Sequence, residues 1–218
     1  MSLVANQIMP RILEKKERRL GEKLFLKGDR CIGPKCAASR RAYPPGVHGK
    51  KRTRGGRGGA SEFSVLMREK QKVRLFYGLD DHDIKRYAEK ASGKPGIFSD
   101  IFLRMMESRL DTAVWRTGFA DSRRAARQAI VHGRILVNGK VVRSPAYELR
   151  VGNAMSIKER PGKNAVSAVV TERLKHYQPP VWITLDAAHK TGTMAGVPQS
   201  DQIGITFDVT KIREFYSR

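Results

Sequence analysis

The sequence predicts an α+β protein, with helices first and a small antiparallel sheet after them, that binds a polyanion. Three observations predict it. Apolar residues recur every three or four positions between residues 61 and 118, the period of a helix with one buried face. A basic stretch after Ser122 leads into ILVNGKVV and then AMSIKE, the pattern of a helix, a hairpin and a further strand. Finally, 43 Lys and Arg face 21 Asp and Glu in 218 residues, for a net charge of +22. Self-repulsion of that size is relieved by an anionic partner, either nucleic acid or an anionic membrane surface.

Other classes are disfavoured. No apolar run reaches the roughly 18 residues of a membrane span. The N-terminal MSLVANQIMPRILEKKERRLGEK lacks the apolar core and cleavage site of a signal peptide. Cys31 and Cys36 are the only cysteines, too few for a secreted disulfide scaffold. The chain reads as soluble and cytosolic.

Residues 1–60 carry 16 basic and 4 acidic side chains, residues 61–175 carry 23 and 13, and residues 176–218 carry 4 and 4. From Arg30 to Ser61 there is no acid. Within that stretch, PPGVHGKKRTRGGRGG has too much glycine for a stable helix or strand. It reads as a basic arm that orders along a phosphate backbone. Arg40, Arg41, Lys50, Lys51, Arg52, Arg54 and Arg57 are its candidate contacts.

Ser61 caps a helix with Phe63, Leu66, Met67 and Val73 on one stripe, and Gly78 stops it. Ile84, Tyr87 and Ala88 share a face of the next helix, which SGKPG at 92–96 ends. Ser99 is expected to cap one continuous helix through Phe102, Leu103, Met106, Leu110, Ala113 and Val114 to Gly118. Met105 and Met106 read as core filler.

Ser122 caps RRAARQAIVH, with Ala126, Ala129 and Ile130 inward and Gly133 as the stop. Arg123 and Arg127 are four apart and are expected to share an outward face, with Arg124 beside them. With the free N–H groups of the helix start they form a candidate phosphate site. His132 at the helix end, Lys140 in the hairpin and Arg109 complete the candidate set. Asn138-Gly139 supplies the two positive φ angles of a type I′ turn. Asp111 is expected to hold Arg109 or Arg116 by a salt bridge. Residues 178–203 read as a loop with one short strand at 181–185, and Trp182 as a packing residue.

The order RLD, GFA, SRRAARQAIVHG, ILVNG, SPAY, VG resembles the RNA-binding module named after the ribosomal S4 proteins. GEKLFLKGDRC, CIGPKC, RRAYPPGVHGKKR, REKQKVRLFYG and the terminal EFYSR extend the resemblance along nearly the whole chain. The sequence is therefore similar to the bacterial-type S4 family of small-subunit ribosomal proteins. That resemblance implies a basic arm at 1–60, a helical domain from 61–96 plus 176–218, and an inserted RNA-binding module at 97–175. It implies a primary binder of the 5′ domain of 16S-type ribosomal RNA that acts early in assembly, next to the protein S5 and close to where messenger RNA enters.

Some family members bind zinc or an iron–sulfur cluster through four N-terminal cysteines. Here the second pair survives as Cys31 and Cys36, while Glu14 and Glu17 stand where the first pair is expected. A structural zinc site prefers sulfur and nitrogen ligands. No metal and no cofactor is therefore expected, His48 reads as a surface or RNA-stacking residue, and the cysteines as small buried side chains. Asn153 replaces the Asp usual after the turn glycine and is expected to keep the turn. Ala125 leaves Ser122 without the carboxylate of a capping box. An RNA-modifying enzyme with the same module would need a catalytic domain, and no segment remains for one. A DNA-binding reading fails for lack of a second helix-turn-helix element or a dimer zipper.

Overall fold

The structure, a computed structural model, describes residues 13–47, 49, 61–158 and 164–217. Lys50, Lys51, Arg52, Arg54, Arg57 and His48 lie outside them. The chain divides into two compact units, Met1–Ser61 and Glu62–Arg218.

In the first unit, α1 (Leu13–Leu20) packs on α3 (Ala37–Arg40), with α2 (Asp29–Ile32) between them in sequence. Gly21 ends α1 with a positive φ of 77° while its N–H returns to the Glu17 carbonyl. Leu24, Cys31 and Cys36 are buried there, and so is Glu17. Both cysteines are free thiols.

The second unit begins with α4 (Glu62–Tyr77) and α5 (Asp81–Ser92). Leu66 and Val73 of α4 are buried as the stripe predicts, but Phe63 is half exposed, 5.9 Å from Phe215. Asp80 caps α5 by accepting the Asp83 N–H at 2.7 Å. The long helix expected from Ser99 to Gly118 is two helices, α6 (Phe98–Glu107) and α7 (Leu110–Arg116), and Ile97 takes the capping position. The break has a tertiary cause. Arg109 is extended at φ −69° and ψ 141°. The N–H groups of Leu110 and Asp111 leave the helix to bond the carbonyls of Tyr147 and Pro145, and Leu149 N–H bonds the Ser108 carbonyl. A strand-like segment thus takes up backbone groups that a continuous helix would use itself.

Helix α8 (Arg123–Val131) follows, then β1 (Ile135–Val137), β2 (Lys140–Val141), β3 (Ala154–Ile157) and α9 (Asn164–His176). Asn138 and Gly139 have φ of 49° and 77°, as the hairpin turn requires. At the next turn Gly152 carries the positive φ and Asn153 does not; the Asn153 Oδ1 instead accepts the Arg150 N–H at 2.9 Å. Residues 183–194 are not a loop with one strand. They form a second hairpin, β4 (Ile183–Asp186) and β5 (Thr191–Met194), which joins β3 to give an antiparallel sheet of order β2-β1-β3-β5-β4. Gly192 permits that docking, since a Cβ there would lie 2.5 Å from the Thr117 methyl.

Helix α10 (Thr210–Ser217) returns to pack on α4 and α5 through buried Ile212. Glu69 of α4 ties this tail down by accepting the Asp208 N–H at 3.0 Å, and Lys72 pairs with the same carboxylate at 2.8 Å. The core runs from α4 through α6, α7 and α8 to the sheet. Trp182 is buried in it, as expected. No described helix is long and apolar enough to cross a membrane.

Candidate nucleic-acid interface

Helix α8 starts as its sequence dictates: the Ser122 hydroxyl accepts the Ala125 N–H at 3.3 Å. Ala126 and Ile130 fill the core side. The arginines do not divide as the four-residue spacing suggests. Arg123 points inward. Its guanidinium carbon lies 3.8 Å from the Phe76 ring centre and 3.9 Å from the Trp115 ring, and its Nη2 is 3.6 Å from Glu107 Oε1. Burial pulls its pKa down to about 10, against the opposing pull of the Glu107 carboxylate. Its Nε and Nη2 have no hydrogen-bond partner among the described residues. Arg123 therefore does not share an outward face with Arg127. Phe76, Tyr77 and Trp115 outcompete solvent for its planar group, which stacks where an ammonium would not.

Glu107 anchors this buried group. It is fully buried and accepts bonds from Tyr77 Oη at 3.0 Å, Arg116 Nε at 2.9 Å and Arg116 Nη2 at 3.2 Å. Arg116 Nη2 also donates to the Ile203 carbonyl at 3.0 Å, which fastens the C-terminal segment. Burial, followed by the Glu107 charge, pushes the Tyr77 hydroxyl well up.

Arg109 is likewise internal. It forms a fork on Asp111, with Nε to Oδ1 at 3.0 Å and Nη2 to Oδ2 at 2.6 Å, and donates through Nη1 to Tyr87 Oη at 2.8 Å. Of the two partners the sequence offers Asp111, the structure gives it Arg109, while Arg116 goes to Glu107. Arg109 and Arg123 thus lie inside the fold among these partners, not on an outward face.

Outward cations remain. Arg127 donates to the Gly78 carbonyl at 3.2 Å, and both it and Arg124 are half-buried. His132 and Lys140 are exposed. Arg134 and Arg143, which the sequence reading passed over, are exposed too, and the Arg143 guanidinium lies against Gly133, beside His132 and Arg134. Their position flanking the Asn-Gly hairpin was the signal available for finding them. In the first unit, Arg40 and Arg41 are exposed, and the Arg41 carbonyl accepts Arg18 Nε at 2.9 Å.

The four residues at the positions of the family's metal knuckle do not fit a metal. Glu17 Oε1 accepts the N–H groups of Leu24 at 3.0 Å and Leu26 at 3.2 Å. Glu14 pairs with Lys27 at 3.1 Å and Arg30 at 3.0 Å. Cys31 Sγ accepts the Lys27 N–H at 3.4 Å. Burial pushes the Glu17 carboxyl and the Cys31 thiol up, which disfavours the anions a metal needs. Cys36 is brought down despite its burial by the Ser39 and Ala38 N–H groups. The only described trio of acids, histidines or cysteines close enough to share an ion is Asp80, His82 and Asp83, at the exposed start of α5.

Residues 13–107 match the family model "Ribosomal protein S4/S9 N-terminal domain", and residues 108–154 match the S4 domain. Among curated proteins, the small ribosomal subunit protein uS4 of Syntrophomonas wolfei is 42% identical over 201 residues, 92% of this chain and 94% of its own. Those of Thermus thermophilus and Halothermothrix orenii are 41% and 40% identical, each over 92% of this chain and 94% of their own. Agreement at that level over 92% of its length places this chain in the uS4 family of small ribosomal subunit proteins.

Proposed function

We propose that this protein is a structural constituent of the small ribosomal subunit and a primary binder of the 5′ domain of its 16S-type ribosomal RNA, nucleating assembly in the cytoplasm. The observation that carries this is the family relationship over 92% of the chain. The net charge of +22, the half-buried Arg124 and Arg127 of α8 and the exposed cations around the first hairpin support it. Membership of a ribosomal-protein family makes the chain a structural component, not an enzyme.

Arg124, Arg127, His132, Arg134, Lys140 and Arg143 carry the phosphate contacts of the module, Ser122 holds their helix, and Arg40, Arg41, Lys50, Lys51, Arg52, Arg54 and Arg57 carry those of the arm. Folded RNA is read mostly through backbone and shape, which suits cations set on a rigid scaffold. The helical body comprises 61–96 and 176–218, around a module at 97–175 whose sheet is extended by β4 and β5. Within the subunit the protein neighbours S5 and lies near incoming messenger RNA.

Affinity for a folded 5′-domain fragment, measured against an equal length of duplex DNA, tests the reading. Tight RNA binding with a steep salt slope is expected. Equal affinity for the DNA would overturn it.

A further inference from the structure

The outward cations are not confined to α8 and the arm. In α5, Ile84, Ala88 and Ala91 face the core. Arg86 and Lys90 are four apart, and Lys94 follows four later, just past the helix end, so all three lie along one outer edge. Arg104 leaves the outer side of α6, and Arg150 leaves the turn closed by Asn153. Between these elements run two adjoining cavities. One, of about 430 Å³, is lined by Arg86, Lys90, Lys94, Tyr87 and Met105 among others. The other, of about 420 Å³, is lined by Lys94, Met105, Arg104 and Arg150 among others. Lys94, Met105 and Glu148 belong to both, so the two form one furrow.

Four of the cations in this furrow are unspent. Lys90, Lys94, Arg104 and Arg150 are exposed, and their side chains make no hydrogen bond or ion pair with another described residue. Arg86 pairs with Asp83 at 2.8 Å. Glu148 is the single carboxylate in the lining of either cavity. The floor is fixed. Tyr87 Oη is held by Arg109, and the backbone of Arg109 bridges Glu148 in strand fashion. A concave site with one sign of charge on a rigid floor concentrates counter-charge.

We infer that this furrow is a second seat for the RNA phosphate backbone, separate in the fold from α8 and the first hairpin, with Lys90, Lys94, Arg104 and Arg150 as its phosphate contacts. The inference rests on the RNA-binding reading above. An extended phosphodiester fits better than an acidic peptide because the cations line the length of the furrow while Met105 and Tyr87 offer a narrow apolar floor. Glu148 makes a signed prediction: if the furrow holds phosphate, this carboxylate opposes binding.

The test is affinity against salt for full-length protein and a folded 5′-domain RNA fragment. The variants are the quadruple K90Q/K94Q/R104Q/R150Q, its two halves K90Q/K94Q and R104Q/R150Q, Glu148→Gln, and Lys175→Gln as a control cation paired elsewhere with Glu172. The quadruple variant should lower the salt slope by roughly three to four units, and each half by about two. Glu148→Gln should tighten binding, and Lys175→Gln should change neither slope nor affinity. The halves carry the test if the quadruple variant folds poorly. If wild type binds steeply but the furrow variants keep its slope, or Glu148→Gln weakens binding, the furrow inference fails while the RNA-binding reading stands. Retained RNA slopes with lost binding of an acidic ribosomal protein would assign the furrow to a protein. A flat wild-type slope would sink the underlying reading itself.

Discussion

Two populations of arginine sit within a few residues of each other and do opposite things. Arg109, Arg116 and Arg123 have side-chain exposures of 3%, 15% and 10%. They meet Asp111, Glu107, three aromatic rings and a carbonyl inside the second unit. Arg134, Arg143 and Lys140 are exposed around the hairpin, and Arg127 of α8 is half-buried at the Gly78 carbonyl. The difference teaches that a basic motif is not a count of phosphate contacts. The inner set cross-links α4, α6, α7, α8 and the C-terminal segment. That fixes the pose of α8, and the outer set can then meet a backbone without reorganising.

The comparison breaks most visibly at Glu107. Glu107→Gln leaves two buried guanidinium groups facing no carboxylate, and removal of one partner of a buried ion pair costs about 3–5 kcal/mol. Chemical denaturation should show a loss of that order, with RNA affinity recovering wherever the protein is kept folded. Arg123→Ala is expected to cost less, roughly 2–3 kcal/mol, because it opens a cavity between Phe76 and Trp115 but also removes a cation with two unpartnered nitrogens. Ser122→Ala should cost about 1 kcal/mol through the lost α8 cap. On the outer side, Arg127→Ala should stay within about 0.5 kcal/mol of wild-type stability and lower the salt slope by roughly one unit.

The first unit sharpens the same contrast by pH. Burial works to raise Glu14, but hydrogen bonds from Lys27 and Arg30 outweigh it and hold its carboxyl below the usual range. Its contribution is present above the ordinary glutamate range and is lost as pH falls through the depressed value. Glu17, raised by burial, has the opposite sign: its contribution is present below the ordinary range and is lost as pH rises through the raised value. Amide exchange at Leu24 and Leu26, whose N–H groups Glu17 accepts, reads both. Glu14→Gln should remove the acid-side loss of protection, and Glu17→Ala should expose both amides at every pH. Unchanged exchange in Glu17→Ala would show that this carboxylate does not hold the knuckle.

What was legible in the sequence was what local chemistry decides. Ser122, Gly133 and Asn138-Gly139 act through their own backbone angles and nearest N–H groups, so the start and stop of α8 and the first hairpin were readable. Asp111 was readable as holding Arg109 or Arg116, both close in sequence, and the fold uses Arg109, two positions away. The helix break at Ser108–Arg109 was not, because its bonds come from residues 145–149. Nor was the β4–β5 hairpin, whose place depends on β5 pairing with β3, Ala154 with Thr193 and Ser156 with Thr191, far apart in sequence. Arg123 was misread for the same reason: its Phe76 partner lies 47 residues earlier, and periodicity alone assigns it to the face of Arg127.

On the proposed reading, Arg123 belongs to the core and Arg127 to the RNA surface. That division is tested most directly by salt-dependent RNA affinity for Arg123→Met beside Arg127→Ala, with both variants shown to be folded. Methionine keeps apolar volume between the rings and removes the charge. The account predicts an unchanged slope for Arg123→Met and a slope lower by roughly one unit for Arg127→Ala. A slope lowered by a unit in Arg123→Met, or untouched in Arg127→Ala, would contradict it.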